Sequence, residues 1–153
     1  MTPHETWMQY AYKEAEKAFD KKEIPIGAVV IFENRIIGKG HNQVETLRDP
    51  TAHAEIIAIT SAAAYLSSKV LLGCSLYVTL EPCTMCAGAI VLAKIENLYF
   101  GAFDNKSGAC GSVLDITNNN SLNHRLSVTG GIMDKKCGVI IKSFFDLPQL
   151  RRE

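Results

Sequence analysis

The chain lacks what several protein classes require. No apolar stretch approaches the ~18 residues that span a bilayer; the longest candidates, 24–32 and 87–93, are core-sized. The opening Met1-Thr2-Pro3-His4-Glu5 has no basic segment followed by an apolar one, so no secretory leader is expected and the cytoplasm is the expected compartment. An excess of either charge is missing. The 16 Lys+Arg balance 16 Asp+Glu, which removes the bulk signature of a nucleic-acid binder and leaves room only for a local basic stripe. The cysteine count is five, and an odd number in that compartment argues against a disulfide framework. Repeats, low-complexity tracts and linkers are absent too.

What remains suits one compact domain over residues 1–153, and 47% hydrophobic residues can form a core without a staple. Trp7, Met8, Ala11, Ala15, Ala18 and Phe19 recur near helical spacing and predict an amphipathic helix over the first twenty residues. The continuous apolar run 26–32 reads as a buried strand. Glu33-Asn34 turns it into a second strand over 35–40, so a hairpin is expected. A polar loop should follow over 41–49. Asp49-Pro50-Thr51 then carries a helix-start pattern, with the helix running to about Leu66. Residues 75–80 alternate as a strand, and Glu81-Pro82 ends it and opens a helix over about 83–93. A short strand at 98–101, a glycine-bearing polar loop at 104–112, a strand at 126–129, a Gly130-Gly131 turn and a helix over 133–147 complete the chain. Helix, hairpin, then strands alternating with helices predict an α/β fold, a mixed sheet of about five strands covered by helices on both faces.

Two segments can carry chemistry: His53-Ala54-Glu55, and Pro82-Cys83-Thr84-Met85-Cys86 roughly thirty residues later. Each falls near an expected helix start. Cys83 and Cys86, three apart, share one helix face. The positive potential of a helix N-terminus favours thiolates there. With a neutral nitrogen from His53 they make a three-ligand set with one position open, the pattern of a catalytic zinc site; a structural site would take a fourth ligand, for which Cys110 stays open. A carboxylate on Glu55 beside such a metal could move a proton from water to a substrate nitrogen. Residues two apart on a regular helix point about 200° apart, so spacing alone does not turn Glu55 toward the metal. His-x-Glu followed by Pro-Cys-x-x-Cys is the signature of zinc-dependent nucleobase deaminases.

The likeness extends well beyond that signature. Pro25-Ile26-Gly27-Ala28-Val29, His41-Asn42, the stretches 49–55, 76–90 and 100–109, Asn123-His124-Arg125 and Phe144-Phe145 resemble the bacterial tRNA-specific adenosine deaminases, over about residues 6–148. The resemblance implies a three-layer α/β/α cytidine-deaminase-like fold and a homodimer with one zinc ion per chain. The implied reaction is hydrolytic conversion of adenosine to inosine at the wobble position of a tRNA anticodon stem-loop. By the same resemblance His53, Cys83 and Cys86 match the zinc ligands and Glu55 the proton shuttle. Asn42 matches a base-reading asparagine, Ile26 and Ala28 match positions lining the base pocket, and the Ala54 backbone is expected at the base edge. Asp104 and Lys106 match loop positions that approach the RNA backbone.

Plainer readings stand beside these. Asn42 suits a turn, Ile26 and Ala28 a core, Asp104 a loop cap. Phe144 and Phe145 read as core rather than as a stacking platform. Lys135-Lys136 and Arg151-Arg152 read as solvated surface. Competing functions are a small-molecule nucleobase deaminase, such as one for guanine, a structural zinc protein, and a redox protein using Cys83 and Cys86. The loop from Phe100 and Asn123-His124-Arg125 favour the tRNA enzyme.

Overall fold

In a computed structural model, residues 1–148 are described; Arg151 and Arg152 lie outside them. Helix α1 (Pro3–Asp20) starts on a capping box. Thr2 Oγ1 accepts the Glu5 amide, Glu5 returns the bond to the Thr2 amide, and Pro3 occupies the first turn. Strands β1 (Gly27–Phe32) and β2 (Arg35–His41) form the expected hairpin. Its turn uses Glu33 and Asn34 with φ of 48° and 60°, the paired left-handed conformation that matches strand twist.

The segment expected to be loop contains one short helical turn, α2 (Val44–Leu47). Helix α3 (Ala54–Leu66) begins later than Asp49-Pro50-Thr51 suggests. The Asp49 side chain is spent on a local turn, accepting from the Thr51 amide (2.8 Å) and hydroxyl (2.7 Å), and the chain stays non-helical through His53. Strand β3 (Ser75–Leu80), helix α4 (Thr84–Leu92) and strand β4 (Asn97–Ala102) make a parallel β-α-β unit. Strand β5 (Ser127–Thr129) and helix α5 (Asp134–Phe145) follow.

The sheet runs β2-β1-β3-β4-β5, antiparallel on the hairpin side and parallel from β3 onward. Side chains alternate between two layers. Ala28, Val30, Leu76, Val78, Leu98 and Phe100 pack with Ala58 of α3 and Ile90 of α4. Val29, Ile31 and Tyr77 pack on the other face with Met8 of α1 and Cys137 of α5. The three-layer α/β/α arrangement is therefore the one expected. No helix among the described residues is long and apolar enough to cross a membrane.

The register gathers one edge. Gly27 pairs with His41, the Gly27 amide donates to Thr79 Oγ1 (3.1 Å), and Leu80 pairs with Ala102. The start of β1 and the ends of β2, β3 and β4 thus emerge together, at the carboxyl edge of the parallel strands where α/β sheets bind ligands. Helix α3 reaches this edge because β2 presents glycine to it. A Cβ on Gly40 would lie 2.3 Å from the Ala54 carbonyl oxygen, so any side chain there would push away the turn carrying Glu55.

Candidate active site

His53 and Cys83 occupy equivalent places. Each is the extended residue just before a helix, with ψ of 153° and 179°, and so each side chain projects from the N-terminal end of α3 or α4. Cys86 follows one turn into α4 and is fully buried. The His53 Nδ1 atom lies 3.7 Å from Cys83 Sγ and 3.5 Å from Cys86 Sγ. A tetrahedral zinc ion with bonds of about 2.3 Å to sulfur and about 2.05 Å to nitrogen would hold those atoms about 3.6 Å apart. The donor set and its spacing fit zinc, and this trio is the one group of candidate ligands that converges among the described residues. Cys110 is not part of it; its thiol faces the Pro82 carbonyl (4.0 Å).

The electrostatics separate the two thiols, favouring the thiolate at Cys83. A hydrogen bond from Cys86, aided by the Met85 and Cys86 amides at the helix start, brings the Cys83 thiol down to about 5. The same bond and burial push Cys86 upward. Glu55 is 4% exposed, and burial raises its carboxyl to about 7 against the pull of its own amide. Its interactions with Cys83, His53 and Cys86 place it against the trio. The 200° objection does not apply, because His53 precedes the helix and only Glu55 lies within it. A carboxyl poised near neutrality can both take and give a proton.

These four side chains adjoin a cleft of about 1170 Å³, lined by His53, Glu55 and Cys83 and also by Ile26, Asn42, Asp104 and Lys106. That exceeds the roughly 300–1,000 Å³ of a small-molecule pocket. Asn42 is 4% exposed; its Oδ1 accepts the Ala54 amide (2.9 Å), which leaves its NH₂ group as the free donor. The Ala54 amide is thus engaged by Asn42, and Ala54 is fully buried. Ala28 is also fully buried, packed toward α3, and does not line the cleft. Asp104 Oδ1 caps its own loop, accepting the Lys106 and Ser107 amides (both 3.0 Å).

Phe144 is 5% exposed and meets Phe19 edge-on, whereas Phe145 is half exposed; both reach the cleft. Asn123-His124-Arg125 lies away from it. His124 Nε2 binds the Ile95 carbonyl (2.7 Å) and Arg125 binds Asn120, so the motif fastens a loop. Contributors to the cleft that sequence reasoning missed include Lys21, Lys22, Phe103 and the buried Glu81. The only signal for Glu81 was a charge directly after an apolar strand and before Pro82-Cys83.

A family model for MafB19-like deaminases matches residues 2–147. The tRNA-specific adenosine deaminase of Bacillus subtilis is 44% identical over 145 residues, covering 95% of this chain and 90% of its own. A solved tRNA:A34 deaminase, of the kind that performs A-to-I editing at the wobble position of transfer RNA, is 41% identical with a TM-score of 0.85, covering 88% of this chain and 98% of its own. The guanine deaminase of Nitrosomonas europaea shares the architecture at a TM-score of 0.77 with 27% identity, covering 92% of this chain and 83% of its own.

Proposed function

Since the chain belongs to the MafB19-like deaminases and to the tRNA-specific adenosine deaminases, we propose that it hydrolyses adenosine to inosine at the wobble position of a tRNA anticodon. The observation that carries this reading is the buried Glu55 set against a three-donor metal trio beside an outsized cleft. That cleft is lined by Lys21, Lys22 and Lys106 and by exposed Phe103 and Phe145, a combination suited to phosphates and unstacked bases.

His53, Cys83 and Cys86 would hold one zinc ion, which when bound supplies the Lewis acidity that makes water a nucleophile near neutral pH. Glu55 takes a proton from water and delivers it to adenine N1, which makes C6 electrophilic, and the remaining hydroxide adds to C6. Glu55 then carries the proton of the new C6 hydroxyl to the amino group, the C6–N bond breaks, and ammonia leaves a carbonyl at C6. Asn42 donates its free NH₂ to the base, Ile26 packs against it, and Asp104 and Lys106 face the neighbouring backbone. An anticodon loop presents the base at little unstacking cost.

The test is incubation with an anticodon stem-loop carrying adenosine at the wobble position, beside tubes of free adenine, guanine, cytosine and their nucleosides. Inosine is expected in the stem-loop alone. Turnover of free guanine with a silent stem-loop would move the chain to the small-molecule branch.

The chain acts in this reading as one deaminase domain and as a homodimer. Helix α4 is apolar nearly all round; Leu92 is 81% exposed and a Cβ on Gly88, one turn earlier, would meet nothing within 4 Å. Leu92→Glu is expected to shift sedimentation from dimer to monomer, and an unchanged sedimentation coefficient would reject α4 as the interface. A tRNA substrate supports a cytoplasmic location, which cell fractionation checks.

A further inference from the structure

Two carboxylates with no part in the reaction are among the most buried polar groups of the chain. Glu23 is 1% exposed and Glu81 2%. Among the described residues neither has a lysine or arginine as ion-pair partner. Each is instead surrounded by donors from a single segment, the loop after β4 for Glu81 and the short helical turn α2 for Glu23. Glu81 Oε1 accepts the Asp104 amide (3.1 Å) and the Ser112 hydroxyl, and Oε2 accepts the amides of Cys110 (3.1 Å) and Ser112 (3.0 Å). Glu23 Oε1 accepts the Glu45 amide (3.1 Å), and Oε2 accepts the Thr46 amide and hydroxyl (both 2.6 Å).

Both segments form walls of the cleft: Val44 and Glu45 of α2 line it, and so does the run from Phe103 to Ser107. The carboxylates belong to the frame: Glu23 stands between α1 and β1, and Glu81 directly follows β3, two residues before Cys83. Contact with the second loop is direct. A Cβ on Gly108 would fall 2.4 Å from Glu81 Cδ, so the backbone rests on the carboxylate with no room for a side chain. Neither carboxylate is hydrogen-bonded to His53, Glu55, Cys83 or Cys86.

We propose that Glu23 and Glu81 are positioning residues that clamp the two cleft walls, and that they set the grip on nucleotides flanking the target base rather than the chemistry on it. Backbone amides around a carboxylate hold a loop's path whatever its side chains are, so the walls keep a shape ready for an extended RNA loop. The inference rests on the stem-loop reading above.

Steady-state kinetics on the anticodon stem-loop test it, with zinc content measured on the same samples. Glu81→Gln replaces one acceptor oxygen by an NH₂ facing donors, and Glu23→Gln does the same at the other wall. Each is expected to raise KM about tenfold or more, with kcat within about threefold and zinc unchanged. The two effects should multiply, since the clamps share no partner. Thr46→Val and Ser112→Ala each remove one hydroxyl donor and give a smaller KM rise in a chain that folds even where a Gln variant does not. A fall in kcat at unchanged KM, loss of zinc, or unaltered kinetics in all four variants would overturn the proposal. A wild-type chain silent on the stem-loop would instead sink the substrate reading.

Discussion

Glu55→Gln is expected to slow inosine formation by about 10²–10⁴-fold, the range for removing a positioned general acid–base group, while zinc content and fold stay intact. The substitution keeps the shape of a side chain that is 4% exposed. It removes only the ability to accept a proton and release it again. Glu55 is not one of the three metal donors, so the ligand trio should persist. Stability gives a second readout with the opposite sign. A buried carboxyl pushed up to about 7 is held there by desolvation, and a neutral amide of equal size escapes that penalty. The variant should melt at the same temperature or higher, as expected where an active site sacrifices stability for chemistry. Single-turnover inosine formation with zinc measured alongside decides the matter. Turnover within tenfold of wild type with zinc bound would mean that the proton travels by another route.

The donor trio was legible in the sequence because zinc chemistry restricts both residue type and spacing, and two Cys three apart on a helix leave little freedom. The alternation of strands and helices was legible for the same kind of reason, since periods of two and 3.6 are local properties. What failed to show was settled by longer range. Asp49-Pro50-Thr51 has the composition of a helix start, yet Asp49 closes a turn on Thr51 and the helix waits until Ala54. That delay leaves His53 extended, and it is why a side chain two residues from Glu55 can face the same site. Glu23 and Glu81 were illegible for a different reason. Most of their partners are backbone amides 22–31 residues away, and a backbone amide has no letter in a sequence. Asn42 is intermediate: its place after the hairpin suggested either a turn or a base contact, and its oxygen is used to hold the Ala54 amide while its nitrogen stays free.

Cys86→Ser is expected to reduce bound zinc from about one per chain to well below that, and turnover with it. A metal supplies several kcal/mol of transition-state stabilisation, so its loss should cost on the order of 10³-fold at about 1.4 kcal/mol per decade. The serine hydroxyl is a hard, weakly acidic donor on a shorter bond, and in this fully buried position it cannot move out to compensate. His53 and Cys83 would be left as a two-donor site. The melting temperature should fall proportionately less than activity. Among the described residues three donors converge and no fourth, with Cys110 turned to Pro82 and pushed up to about 12 mainly by burial, so the metal would complete a reaction site more than it braces the fold. Chelation of the wild-type chain followed by zinc addition makes the same distinction without mutation: activity should vanish and return while the fold persists. Unfolding on chelation would instead favour a structural zinc protein. Full turnover after quantitative removal would leave Cys83 and Cys86 to be explained as a redox pair, which would have to form a disulfide reversibly and would give the buried carboxyl of Glu55 nothing to do.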